Sequence, residues 1–235
     1  MVPINDLSRR IILNQNGLLQ ITEKVLSSGS YILGKEVKGF EESFANYVGM
    51  QYCVGVASGS DALKLALVGS GIGKDSKVLT VANAGMYSSN AIHSVGATPV
   101  YIDIDPNNLL LDFDQLHLFS SMKIDALIVT HLFGLVHPNI AKIVEWCKFN
   151  SVVLIEDCAQ AHGAIIHGQK AGSFGDVSCF SFYPTKNLGA LGDAGAVLTN
   201  SEHLHGKIAS LRQYGWKTKY QVVLRDGMNS RLDEL

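Results

Sequence analysis

Short apolar runs alternate along this chain with stretches in which apolar residues recur every three or four positions. After an N-terminal helical stretch, Tyr52–Val56, Lys77–Thr80, Thr98–Ile102, Ala126–Thr130, Val152–Glu156, Val177–Ser181 and Ala194–Thr199 read as strands, with helical patterns between most of them. Several of these runs, Val152-Val153-Leu154-Ile155 above all, are apolar throughout instead of at every second position. A strand needs that when both its faces are covered, so the pattern predicts an α/β fold: a mostly parallel sheet flanked by helices. Leu204–Tyr214 reads as the last helix. In such sheets ligands lie beyond the carboxyl ends of the strands, so the residues just past each strand are the first candidates for chemistry.

Composition narrows the classes. With 235 residues, 47% hydrophobic and 17% charged, the chain can build a full core of one or two domains. A net charge of −2 with interspersed signs gives no basic face for a phosphate backbone, so nucleic acid is not an expected partner. The apolar runs fall far short of the ~20 residues that span a bilayer, and there is no signal-peptide pattern; a cytoplasmic location is expected. Cys53, Cys147, Cys158 and Cys179 are widely spaced and read as buried small hydrophobes. Only His203 and His205 lie close together among the histidines, at a helix start, and no metal site is expected.

Three places after strands carry chemistry. Ala57-Ser58-Gly59-Ser60-Asp61 leads from a strand straight into a helix, whose free N–H groups and positive dipole end suit a phosphate; an ordinary cap by Ser58 or Ser60 accounts for the pattern equally well. The glycines of Gly69-Ser70-Gly71-Ile72-Gly73-Lys74 follow a helix instead, and read as its stop. Glu156-Asp157-Cys158-Ala159-Gln160-Ala161-His162-Gly163 follows the most apolar strand. Burying Asp157 there is costly unless a cation, such as a protonated pyridine nitrogen, pairs with it; capping of the next segment is the other reading. Finally, Ser181-Phe182-Tyr183-Pro184-Thr185-Lys186 sets a lysine on a stiffened loop among apolar and small residues, where a desolvated amine could condense with an aldehyde.

Taken in order, Tyr31-Ile32-Leu33-Gly34, Ser58–Leu63, Glu156–Gly163, Ser181–Lys186, Gly192-Asp193-Ala194-Gly195-Ala196 and Gly227–Leu235 resemble the motifs of the DegT/DnrJ/EryC1/StrS sugar aminotransferases, over nearly the whole chain. The resemblance implies pyridoxal 5'-phosphate as cofactor, with Lys186 carrying it and shuttling the proton. It implies Asp157 on the pyridine nitrogen, Gln160 on the ring's 3-hydroxyl, and Gly59, Ser60, the Asp61 backbone and Ser181 at the phosphate. Asn229 would reach the phosphate of a neighbouring subunit in a homodimer. The implied reaction moves an amino group from glutamate to a nucleotide-linked keto-deoxysugar, for surface polysaccharide or similar glycans.

Two departures from the family pattern stand out. The aromatic that stacks on the cofactor falls at Gly85, so Tyr87 or Met86 takes its place. Family members also continue past the Arg231–Leu235 motif, through a helix beginning near Ser230, into a smaller C-terminal domain. The resemblance therefore implies that residues 1–235 are an N-terminal segment plus the large domain alone. Sugar dehydratases of the same fold carry histidine where this chain has Lys186, and an inactive remnant or a non-enzymatic assembly partner is the other alternative. The cationic, aromatic run Tyr214–Tyr220 suits contact with a sugar or diphosphate, or is a solvated loop.

Overall fold

The computed structural model describes residues 4–235. Two helices open it: α1, Leu7–Ser28, capped by the Asp6 side chain and ended by Gly29, and α2, Lys35–Val48. Then follow β1 (Tyr52–Val56), α3 (Gly59–Gly69), β2 (Lys77–Thr80), α4 (Tyr87–Ser94), β3 (Thr98–Tyr101), β4 (Ala126–Thr130), α5 (Ile140–Asn150) and β5 (Val153–Asp157). A hairpin of β6 (Ile165–Ile166) and β7 (Gln169–Lys170) precedes β8 (Val177–Ser181), β9 (Gly195–Thr199) and α6 (Glu202–Leu211), and a second hairpin pairs β10 (Trp216–Thr218) with β11 (Gln221–Val222). All seven expected strands are present within one residue at each end, the scatter usual for element boundaries. The last helix spans Glu202–Leu211, starting two residues earlier and ending three earlier than expected.

The sheet order is β1-β9-β8-β5-β4-β2-β3, and β8, β5, β4, β2 and β3 run parallel. β9 is inserted antiparallel between β1 and β8. A parallel return needs a crossover long enough to span the sheet, usually a helix; the Phe182–Ala194 connection contains none, so the chain turns straight back. That turn places Ser181, at the end of β8, beside Gly195, which also faces Val56 at the end of β1. The carboxyl ends of β1, β5 and β8 thus share one edge.

Helices cover both faces. One core joins Phe44, Val48, Ile143 and Cys147 to Leu127, Leu154, Phe180 and Phe182; the other joins Leu63, Leu65, Leu67, Ile92, Ile208 and Leu211 to Val54, Ile128 and Ile155. Each fully buried side chain of this size contributes on the order of 2 kcal/mol. All four cysteines are buried. No helix among the described residues is long and apolar enough to cross a membrane.

The expected helix near Ser230 is absent: residues 230–235 run without helical structure and are tied back by side chains. The Ser230 hydroxyl donates to Asp61 Oδ2 (2.7 Å) and accepts from Ala57 N (3.1 Å). Glu234, brought to the start of α2, accepts from the N–H groups of Gly34 (2.7 Å), Glu36 (3.0 Å) and Val37 (3.0 Å). These contacts use the backbone and side-chain groups that a new helix would have to redirect.

Candidate active site

At the shared strand edge lies a cavity of about 390 Å3. Ser58, Gly59 and Ser60 line it after β1, Asp157 and Ala159 after β5, Ser181, Tyr183, Thr185 and Lys186 after β8, and Tyr87 from the start of α4. Ser58 is extended and its Oγ accepts from Asp61 N (3.1 Å), which starts α3 at Gly59. Ser58 is thus the cap, and the N–H groups of Gly59 and Ser60, without intrahelical acceptors, lie at the cavity. Gly59 has no room for a side chain, since a Cβ there would lie 2.6 Å from the Cβ of Ser181. That close approach brings the ends of β1 and β8 together at the cavity.

Asp157 ends β5 and is 5% exposed. Its Oδ1 accepts from Ala159 N (3.1 Å), and it forms no ion pair among the described residues. Burial pushes its carboxyl above the usual carboxylate range, opposed by the Ala159 N–H and by the nearby charge of Lys186. A cation in the cavity would relieve that cost. Lys186 is half-buried on the loop beyond β8, its backbone N–H donating to the Tyr183 carbonyl (2.8 Å). A lysine, a strand-end carboxylate and an anion cradle thus converge from three separate loops.

Three expected site residues lie outside the cavity lining. The carboxylate of Asp61 accepts from Ser230 and its N–H is taken by Ser58. Gln160 Oε1 accepts from the N–H of Phe133 (3.1 Å), and Asn229 is exposed, accepting from Arg231 Nε (3.0 Å). Of the two stacking candidates, Tyr87 lines the cavity and Met86 does not. In Tyr214–Tyr220, which contains β10, the ring of Trp216 lies tilted against Tyr214 (5.1 Å) and edge-on to Tyr220 (5.4 Å).

Other residues join the site without having been expected. Asp193 lines the cavity, and its signal was its place in the Gly192-Asp193-Ala194 run soon after Lys186. Cys179 and Phe180, the last residues before Ser181, line it from the floor. His162 packs on Phe180 and Phe182 (5.4 and 5.3 Å between centroids), with neither ring nitrogen partnered among the described residues. Burial, then the charge of Lys186, push it down to about 4.

Behind Asp157, the side chains of His131, Glu156 and Cys158 lie within 4.8 Å of one another. Glu156 is already saturated by the N–H groups of Gly172 (2.8 Å), Phe174 (2.8 Å) and Gly175 (2.7 Å) and by His131 Nε2 (2.8 Å). His131 Nδ1 accepts from His137 N (3.2 Å), which makes Nε2 the protonated donor, and burial holds Cys158 as a thiol. The cluster is a hydrogen-bonded brace for β5.

A mostly parallel sheet flanked by helices in this order is the type I aminotransferase fold of the structures it superposes on. A crystal structure of DesV from S. venezuelae, in complex with a ketimine intermediate, superposes with a TM-score of 0.95 at 38% identity, over 99% of this chain and 62% of that one. The chain belongs to the DegT/DnrJ/EryC1/StrS aminotransferase family, which matches residues 14–235. It is 42% identical over 218 residues to a dTDP-3-amino-3,4,6-trideoxy-alpha-D-glucose transaminase of Micromonospora megalomicea subsp. nigra, covering 93% of this chain and 58% of that relative. To a dTDP-3-amino-3,6-dideoxy-alpha-D-galactopyranose transaminase of Aneurinibacillus thermoaerophilus it is 43% identical over 235 residues, covering all of this chain and 64% of the relative. The chain thus spans about three fifths of the length of these proteins.

Proposed function

We propose that this chain is the cofactor-binding part of a pyridoxal-phosphate-dependent aminotransferase acting on nucleotide-linked keto-deoxysugars. The observation that carries this reading is the convergence of Lys186, Asp157 and the Gly59–Ser181 cradle on one cavity. The residues fit the group: an anion cradle, a buried carboxylate in need of a cation, and a lysine between them. When bound, pyridoxal phosphate supplies an aldehyde that condenses with amines and a protonated ring that accepts the electron pair left when a neighbouring C–H loses its proton.

The chain's own residues do the rest. Gly59 N–H, Ser60 N–H and Ser181 Oγ hold the phosphate, and the dipole of α3 favours its charge. Asp157 would pair with the ring nitrogen and keep it protonated, and Tyr87 would stack against the ring. Lys186 would hold the group through its amine and, once released by the amine of the donor, glutamate, would act as the base that takes and returns the proton, in this half of the reaction and in the half that aminates the sugar. Gln160, whose Oε1 accepts from Phe133 N here, would serve the ring hydroxyl. Asn229, exposed, would reach the partner's phosphate in a cytoplasmic homodimer.

The lysine favours amino transfer over sugar dehydration, for which relatives of this fold carry histidine. Mixing the protein with pyridoxal phosphate should give a yellow species, which glutamate discharges and a nucleotide keto-sugar restores. A species indifferent to both partners would contradict the proposal.

A further inference from the structure

The loop that carries Lys186 has little packing of its own. Tyr183, Leu188 and Leu191 expose half or more of their surface, and the loop is closed at its base by the backbone bonds Phe182 N to Ala194 O (2.8 Å) and Ala190 N to Phe182 O (2.7 Å). Between those ties three carbonyls, of Pro184, Lys186 and Gly189, converge on one side chain: the guanidinium of Arg10. Arg10 Nη2 donates to Pro184 O (2.9 Å) and Gly189 O (3.4 Å), and Nη1 donates to Lys186 O (3.4 Å). Arg10 is half-buried and makes no ion pair among the described residues, so these carbonyls are its partners.

We propose that Arg10 is a positioning residue for Lys186, clamping the lysine loop to α1 so that Nζ is held over the cavity; this rests on the cofactor reading above. The planar fork suits the task, because one guanidinium can bind three carbonyls whose directions differ, where an ammonium would act as a single point. The tie is reciprocal. α1 buries only Val25 fully, so the first turns of the helix depend on the loop as much as the loop depends on them.

The test compares Arg10→Ala and Arg10→Lys with the parent chain. Two quantities are read: the rate at which pyridoxal phosphate is trapped on Lys186 by borohydride, and the amide exchange of residues 183–190. The expected result is trapping about ten-fold slower in both variants, as the loss of a charged hydrogen-bond set implies. Faster exchange should be confined to 183–190 and the first turns of α1, and millimolar guanidinium should restore trapping in Arg10→Ala. Parent-like trapping and exchange in Arg10→Lys overturn the proposal even where Arg10→Ala fails to fold; so does exchange accelerated evenly across the sheet, which would make Arg10 a general stabiliser. If the parent itself traps nothing on Lys186, the cofactor reading fails, and loop exchange alone then decides the clamp.

Discussion

The ring of Tyr87 fills the space that a side chain at Gly85 would occupy: a Cβ on Gly85 would lie 2.9 Å from Tyr87 Cε2. On the proposed reading, Tyr87, which lines the cavity two residues on, takes the role of the aromatic expected at this position. Gly85 and Met86 both have positive φ (68° and 67°), and this left-handed pair turns Tyr87 towards the cavity. Tyr87→Ala should weaken pyridoxal phosphate binding about ten-fold, the scale of one lost ring contact, while Tyr87→Phe should bind like the parent. Gly85→Phe alone should destabilise the chain, since two rings would compete and the backbone disfavours a side chain there, and Gly85→Phe with Tyr87→Ala should recover part of both losses. Absorbance titration checks this; parent affinity in Tyr87→Ala would remove the ring from the site.

Asp157 predicts opposite effects on stability and on binding. Because burial raises its carboxyl above the ordinary value of 3.8, ionising it costs the folded state more than the unfolded one, and stability is lost as pH rises from 3.8 through the higher folded value. At neutral pH, above the ordinary value of 3.8, that cost is present. Asp157→Asn keeps the acceptor for Ala159 N and removes the charge, so without cofactor it should melt a few degrees higher than the parent at pH 7. It should bind pyridoxal phosphate at least ten-fold more weakly, having lost the partner of the ring nitrogen. Equal binding would leave Asp157 a cap for Ala159 and nothing more.

His162 works the other way. Its folded value of about 4 lies below the ordinary 6.5, so the unfolded chain takes up a proton first and stability falls as pH drops from 6.5 towards 4. His137 and His205 shift in the same direction, so the relevant quantity is a difference between proteins. His162→Phe should be at least as stable at pH 7, because neither ring nitrogen has a partner to lose, and should show a shallower decline between pH 6.5 and 4 in urea titrations. An unchanged slope would mean that His162 is charged in the folded chain.

Glu234 caps α2 from 200 positions away, its carboxylate accepting from Gly34, Glu36 and Val37. Glu234→Ala should cost about 2 kcal/mol in chemical unfolding, within the range for charged caps and charge-assisted bonds, and Glu234→Gln about half of that. A loss in Glu234→Ala indistinguishable from zero would show that water serves the helix start equally well.

Much of this molecule was legible in the sequence where the signal is local. Strand cores and the residues after β1, β5 and β8 stand out because an apolar run ends abruptly at Ser58, Asp157 and Ser181. The reversed direction of β9 was less visible, since it follows from a helix that is missing between Phe182 and Ala194. The β6–β7 hairpin is two residues on each side, too short for any periodicity, and turns on His167 and Gly168, both with positive φ. The Asp61 backbone, which the resemblance puts at the phosphate, has its N–H donating to the Ser58 hydroxyl, and its carboxylate accepts from Ser230, 169 residues on. Arg10 had no signal at all: its three acceptors are backbone carbonyls more than 170 residues away, and carbonyls leave no mark on side-chain identity.

The central claim is that Lys186 is the residue that bears the cofactor, and it can be tested on a single amino group. The protein is incubated with pyridoxal phosphate, reduced with borohydride, digested and mapped by mass spectrometry. The account predicts one phosphopyridoxyl group per chain, on the peptide containing Lys186, and none in Lys186→Ala, whose melting should match the parent because the half-buried side chain leaves no core cavity. Labelling spread over other lysines, or equal labelling in Lys186→Ala, would contradict it.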